Sequence, residues 1–336
     1  MSGYDKFKNN ICLYYAQFED TKNKIDMIKN TLNKIVFDVL PSRDKDSLFV
    51  VRNFTNTEGL DINFIQKNLY VLQKDNTLLV GVEVPSWKRG WRNICDDEII
   101  SNEIDNFFHF ATQYIQRSYQ INLIMAILFS YDRICDFRGD FYMEYSSDYC
   151  SQYSDLIGNT KTNKGKKIKE LKYYLNIINS LDSYVNRANY YFIRANELYR
   201  SYFYEDAITN LDNTIDIIIQ FVKYTKKLPT MKRSEMIKIL SEEFNVNLNK
   251  LTKLEKLYLL RCRFSSHPAQ SKWWDFSEIY DDEVEEIFET VKFTLVKFYQ
   301  YERTNRVVNP NPQLWSEWFY NHADILYDSV WFHKLP

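Results

Sequence analysis

Glycine is scarce in this chain of 336 residues, which contains seven glycines and none after Gly165. A phosphate-binding loop and a dinucleotide fingerprint both need several glycines at fixed spacing, because their backbone approaches the phosphates closely. The isolated glycines Gly59, Gly81, Gly90 and Gly139 form neither motif. ATP- or NAD-dependent chemistry built on such loops is therefore not expected.

Paired cysteines, charge of one sign and long apolar runs are also lacking. The five cysteines are scattered and never spaced as C-x-x-C, which indicates a reducing cytosol and no zinc site. A net charge of −2 excludes a globally basic nucleic-acid binder, though not a local basic groove. The most apolar run, Ile121–Phe129, is too short to span a bilayer, and the N-terminus has no signal-peptide pattern. We expect a cytoplasmic protein with no membrane contact, metal or cofactor.

The N-terminal part mixes helical and strand patterns. Apolar residues at three-four spacing predict an amphipathic helix or a pair over residues 4–38 and a long helix over 96–133. Segments rich in β-branched and aromatic residues predict a small, mostly antiparallel sheet, with a further strand or two at 137–145. The first strands are predicted at 48–54, 68–72 and 77–84.

Two basic segments are candidates for RNA contact. Ser86–Asn93 interleaves two tryptophans with Lys88, Arg89 and Arg92, so it could stack bases and hold phosphates; a loop packed on the sheet is the favoured interpretation. The lysine-bearing stretch 151–169 could also touch RNA, and a charged linker is favoured there.

The domain organisation follows from where the patterns change. Residues 1–150 are interpreted as an α+β domain, and 151–169 as the linker. Residues 170–304 are helical almost throughout, which predicts an antiparallel bundle. The tail 305–336 carries three tryptophans after a proline break and should dock on the body or on a partner. The predicted fold class is α+β, mostly α.

The stretch Leu254–Pro268, LEKLYLLRCRFSSHP, carries the most informative pattern. Leu254 and Leu257 start an apolar row at helical spacing, and Arg261 takes the next place in it. A cation there must be paired, lie at an interface or face an anion. The proline after His267 disfavours helix at that histidine, so the helix is predicted to end one or two residues earlier. An arginine and a histidine together suit work on a phosphate, because one binds the anion and the other moves a proton.

The motif Arg261-Cys-Arg-Phe-Ser-Ser-His267 resembles the signature of the HEPN superfamily, helical domains many of which are ribonucleases. That signature is an arginine, four to six intervening residues and a histidine at the end of a core helix; here five intervene, and none of the other three histidines follows an arginine at this spacing. Ile215-Asp216 is similar to the apolar-acidic pair of the family's second helix, with Asp in place of Glu. The resemblance covers about residues 170–304.

The resemblance implies roles for several residues. Arg261 would hold the scissile phosphate, and His267 would be the general base on the ribose 2′-hydroxyl or the acid for the leaving oxygen. Arg263 would be a second phosphate contact, and Ser266 lies beside the histidine as a supporting residue. Asp216 has two open interpretations, a solvated side chain or an ion pair that orients Arg261.

The resemblance also carries expectations for the whole protein. Cleavage in this family needs no metal and leaves a cyclic phosphate, and its ribonucleases usually dimerise. Trp273 and Trp274 could stack a flipped base, with core packing equally open. The resemblance implies an endoribonuclease acting on RNA, tRNA among the candidates, as a toxin or anti-phage effector. By the same analogy, residues 1–150 would sense a protein trigger or restrain the nuclease. The alternatives are a non-catalytic HEPN bundle that binds protein or nucleic acid, and an unrelated helical scaffold.

Overall fold

The structure is a computed structural model that describes nine stretches of the chain. They are residues 47–55, 57–66, 69–74, 77–85, 118–135, 141–145, 165–178, 183–264 and 281–305. The predicted helix or pair at 4–38, the segment Ser86–Asn93 and residues 306–336 of the tail lie outside the described residues.

The predicted strand region forms a five-stranded sheet. The strands are β1 Ser47–Phe54, β2 Phe64–Gln66, β3 Leu69–Lys74, β4 Thr77–Pro85 and β5 Phe141–Tyr145. Every pairing is antiparallel, and the order across the sheet is β2-β3-β4-β1-β5. The antiparallel sheet is thus confirmed, and the three-residue β2 is an addition that its length hid from the sequence pattern.

Period-two burial sets the register of the sheet. Leu78, Val80 and Val82 of β4 are fully buried, as expected when alternate side chains point to one face. Val80 pairs with Val71 of β3, so the two strands bury their apolar sides together.

Seven helices occur among the described residues. They are α1 over residues 118–131, α2 Lys166–Ile177, α3 Ser183–Arg200, α4 Tyr204–Lys226, α5 Arg233–Phe244, α6 Leu248–Phe264 and α7 Asp281–Thr304. The fold is therefore α+β and mostly α, as predicted. The helical pattern before residue 204 forms two helices, α2 and α3, and α6 begins six residues before the predicted apolar row.

Helix α1 is buried on all sides. Every residue from 121 to 130 is buried, which is typical of a central helix. The Phe129 ring meets three other helices, with ring centroids 5.0 Å from Tyr174 of α2, 5.9 Å from Phe192 of α3 and 6.4 Å from Tyr299 of α7. Helix α1, predicted as part of the N-terminal domain, therefore packs inside the helical region.

Buried polar side chains link α1, α3 and α7. The Tyr299 hydroxyl donates to Asn189 Oδ1 at 2.5 Å, and Asn189 Nδ2 donates to Asn122 Oδ1 at 3.0 Å. We call these three residues the amide network; all are buried. Burial raises the pKa of Tyr299 well above its ordinary value, so this hydroxyl stays protonated as a donor.

One hydrophobic core runs through the sheet and the helices. Val80 of the sheet, Ile124 of α1 and Leu211 of α4 belong to the same buried cluster. The Gln66 side chain of β2 also donates to Asn176 of α2 at 2.7 Å. The core is thus continuous on either side of the predicted 151–169 linker, and the division into domains stays a prediction.

Two helices end without glycine. Lys227 after α4 and Asn245 after α5 adopt left-handed backbone conformations, with φ of 52° and 51°. The next amides bond back over the last turn, Leu228 N–H to the Lys223 carbonyl at 3.0 Å and Val246 N–H to the Ser241 carbonyl at 2.8 Å. This is the bonding of a Schellman motif, in which glycine is common but not required.

Ion pairs show how the last four helices run. Lys226 at the end of α4 lies 2.5 Å from Glu243 near the end of α5, so the connecting loop doubles back and α5 runs parallel to α4. Helix α7 is antiparallel to α6, since Lys253 meets Glu286 at 2.5 Å and Lys256 meets Glu283. The start of α5 and the end of α6 are thereby brought to the middle of α4.

No helix among the described residues is long and apolar enough to cross a membrane.

Candidate active site

Arg261 lies in the last turn of α6, where the predicted apolar row ends. Leu254 and Leu257 of that row are buried, whereas the Arg261 side chain is 37% exposed. Its Nε lies 3.8 Å from Asp212 Oδ2 on α4. The cation on the apolar row is therefore paired, one of the three arrangements that the sequence allowed, and it remains partly exposed to solvent. The negative end of the α6 dipole favours a cation in this turn.

Asp212 is the buried anion of the site. Its side chain is 5% exposed, in the middle of a helix face that also buries Leu211 and Ile215. Burial raises the pKa of Asp212 above its ordinary value, while Arg233 and Arg261 oppose that shift. A carboxylate this buried needs cations close by if it is to remain ionised at neutral pH.

Arg233 supplies the main cation to Asp212. Its Nη2 donates to Asp212 Oδ1 at 2.7 Å and its Nη1 to Asp216 Oδ1 at 2.5 Å. Arg233 is the first residue of α5, and the preceding Lys232 amide donates to Glu235 at 3.1 Å, which defines the start of that helix. The guanidinium bridges two carboxylates one turn apart on α4, because residues i and i+4 share a helix face.

Asp216 is held by Arg233 rather than by Arg261. Its side chain is 54% exposed, so it is both partly solvated and ion-paired. The carboxylate that pairs with Arg261 is Asp212 instead, because that residue lies one turn earlier on α4, at the level of the end of α6. We call Asp212, Asp216, Arg233 and Arg261 the charged cluster; its formal charge is zero.

Tyr258 and Cys262 border the charged cluster on α6. The Arg233 guanidinium lies 5.6 Å from the centre of the Tyr258 ring, a cation–π contact. A hydrogen bond to Cys262 raises the pKa of Tyr258. Cys262, which follows the motif arginine, therefore interacts with Tyr258, whose ring contacts Arg233 of the cluster.

Arg263 does not share the position of Arg261. It is exposed, and its guanidinium lies 5.5 Å from the ring centre of Phe264. Residues two apart on a helix point to different sides, so α6 directs Arg261 and Arg263 apart. A second phosphate contact from Arg263 stays a prediction.

The other predicted site residues lie outside the described residues. These are His267, Ser266, Trp273, Trp274, Lys88, Arg89 and Arg92. Helix α6 extends to Phe264, three residues before the histidine. Within the described stretches, no group of three or more His, Cys, Asp or Glu side chains could hold a metal ion.

Sequence reasoning missed Arg233 and gave Asp212 no role. The available signal for Asp212 was its spacing from Asp216, two acids one turn apart beside an apolar row. Arg233 gave no such signal, since its place depends on a loop that returns along α4.

No family model matches the chain, and neither a curated protein nor a solved structure is significantly similar to it.

Proposed function

We propose that this protein is an endoribonuclease of HEPN type that works without a metal ion. Arg261 holds the scissile phosphate, and His267 transfers protons. In one step the ribose 2′-oxygen attacks the phosphorus and the bond to the 5′-oxygen breaks. The 2′-hydroxyl loses its proton, the leaving 5′-oxygen gains one, and a cyclic phosphate remains.

One observation carries this proposal, the placement of Arg261. A side chain that is 37% exposed lies at the end of a core helix, six positions before a histidine, and its Nε lies 3.8 Å from a buried carboxylate. Arginine suits this role because its planar fork matches phosphate oxygens. The described helices α2–α7 provide the rigid support that a catalytic pair requires.

The biological role follows by analogy with nucleases joined to an additional region. We propose a toxin or anti-phage effector that cleaves RNA, with tRNA a candidate substrate, and acts in the cytoplasm as a homodimer. Residues 1–150 would receive a protein trigger.

The competing function is a non-catalytic helical bundle that binds protein or nucleic acid. The charged cluster favours it in one respect, because two arginines and two aspartates balance to zero charge. An arginine fully committed to such a cluster would be structural rather than catalytic.

Cleavage of total RNA and purified tRNA in EDTA tests the proposal. We expect the wild type to cut and His267→Ala to lose at least about a hundredfold in rate, the effect of removing a general acid or base. The products should carry cyclic phosphate ends.

His109→Ala is the matched control, since no arginine precedes that histidine at the motif spacing. Equal cutting by wild type and His267→Ala would refute the assigned site. If neither protein cuts or binds RNA, with or without a candidate trigger, the protein-binding bundle becomes the better account.

A further inference from the structure

Arg261 and Arg233 compete for one buried carboxylate, and Arg233 has the stronger contact. Asp212 Oδ1 accepts from Arg233 at 2.7 Å, a charge-assisted hydrogen bond, whereas Oδ2 lies 3.8 Å from Arg261, beyond hydrogen-bond range. Arg261 is therefore the looser partner.

Exposure separates the two arginines in the same way. The Arg233 side chain is 13% exposed and the Arg261 side chain 37%. A phosphate arriving from solvent would reach Arg261, while Arg233 is enclosed by Asp212, Asp216 and the Tyr258 ring.

Without Arg233, two carboxylates on α4 would share Arg261 as their nearest cation among the cluster residues. Asp212 would draw that guanidinium from its 3.8 Å separation into a direct bond, because a buried carboxylate needs a close cation. An arginine held in this way would have fewer donors and less positive potential for a phosphate.

We propose that Arg233 is a positioning residue: it neutralises Asp212 and Asp216 so that Arg261 stays available to bind the phosphate of RNA. This inference rests on the proposed function. It assigns Arg233 no contact with substrate, which separates it from a second phosphate-binding arginine.

Binding of a labelled single-stranded RNA oligonucleotide to full-length His267→Ala protein, in EDTA and over a range of salt, tests this inference. In this background, Arg261→Gln should weaken binding about tenfold and lower the salt slope by about one, as loss of one phosphate contact predicts. Arg233→Gln should have a similar effect although it touches no phosphate.

Rescue distinguishes positioning from contact. Adding Asp212→Asn to Arg233→Gln removes the carboxylate that captures Arg261, so affinity and salt slope should return to within about twofold of the parent. Arg194→Gln is the matched control, because Arg194 forms an exposed ion pair with Glu197 within α3, and it should leave binding unchanged.

A surface variant keeps the test decisive if Arg233→Gln does not fold. Asp216→Asn removes one of the two carboxylates that Arg233 neutralises, so Arg233 pairs with Asp212 alone. Arg261 should then be more available for phosphate, and RNA binding should tighten by about twofold. The matched control Asp206→Asn neutralises another exposed carboxylate on α4 and should have a smaller effect.

The failures are distinguishable. If Arg261→Gln weakens binding while folded Arg233→Gln does not, or if the double variant stays weak, the positioning role is overturned and the proposed nuclease stands. Equal effects of Asp216→Asn and Asp206→Asn also overturn it. If Arg261→Gln changes nothing, or no variant binds RNA, the phosphate role of Arg261 falls and this inference falls with it.

Discussion

The charged cluster and the amide network show two ways of holding polar groups inside one bundle. The amide network joins three helices through uncharged, buried side chains, and its tyrosine ionises only with difficulty. The charged cluster passes from buried Asp212 to half-exposed Asp216 and Arg261. A closed, neutral network specifies how helices pack. The charged cluster instead leaves the Arg261 side chain partly exposed to solvent.

The largest effect we expect is on the charged cluster. Arg233→Met should lower the free energy of unfolding at pH 7 by about 3 kcal/mol, because it removes the hydrogen-bonded cation of buried Asp212 and the shift of Arg261 toward that carboxylate replaces it only in part. Urea unfolding measures this loss.

Lowering the pH should reduce the loss of stability that Arg233→Met causes. Burial raises the pKa of Asp212, and removing Arg233 withdraws a cation that opposes the shift. Because its pKa is higher in the folded state than in the unfolded state, Asp212 takes up a proton first in the folded protein as the pH falls, and this uptake stabilises the folded state. The stability that Arg233→Met loses relative to the wild type should therefore be smaller at pH 5 than at pH 7. Arg194→Met, at an exposed ion pair, should cost less than about 0.5 kcal/mol. A deficit that is constant with pH would contradict this account.

The next effect tests the amide network. Asn189→Ala should cost about 3 kcal/mol, because both the Tyr299 hydroxyl and the Asn122 carbonyl lose their bonds to a fully buried side chain. The measurement is again urea unfolding. Asn196→Ala on the same helix removes only a part-buried bond to the Phe192 carbonyl and should cost less than about 1 kcal/mol. Equal losses of stability in the two variants would show that the amide network contributes no more than one part-buried hydrogen bond.

The smallest effect is a change in pH dependence. Tyr299→Phe removes one donor and should cost about 1 kcal/mol at neutral pH. The raised pKa of Tyr299 means that its contribution is present below pH 10.0, the ordinary tyrosine value, and is lost as the pH rises above it, where the unfolded chain ionises first. The wild type should therefore lose more stability than Tyr299→Phe from pH 9 to pH 11. Tyr190→Phe, at an exposed ring, should follow the wild type.

Local patterns were enough to predict many elements. Helix α7 at Asp281–Thr304 lies within the predicted helical region 170–304 and ends at the same residue, and β1 and β4 lie within one residue of the predicted 48–54 and 77–84 at each end. Their apolar periods are long and regular, and such segments keep their local preference in most surroundings. The start of α6 was missed because the predicted apolar row began at Leu254, although Leu251 one turn earlier also packs against the core.

The candidate site was also predicted only in part from the sequence. The sequence alone placed Arg261 on an apolar row and required it to be paired, to lie at an interface or to face an anion, since a buried cation without any of these is too costly. Of Asp212 and Asp216, one turn apart on α4, it named only Asp216 as a candidate partner, whereas Arg261 pairs with Asp212. That choice depends on where the end of α6 meets α4, a matter of packing.

The sequence by itself determined the mostly helical α+β class, the antiparallel sheet and the position of Arg261 near a helix end, because hydrophobic period and proline act within a few residues. Only the tertiary structure decided that Arg233 joins the site and that α1 is enclosed by helices far along the chain. Arg233 reaches Asp212 because the loop after α4 turns back along that helix. Helix α1 is enclosed because its residues 121–130 are all buried. Both are contacts between residues distant in sequence, and no local pattern specifies them.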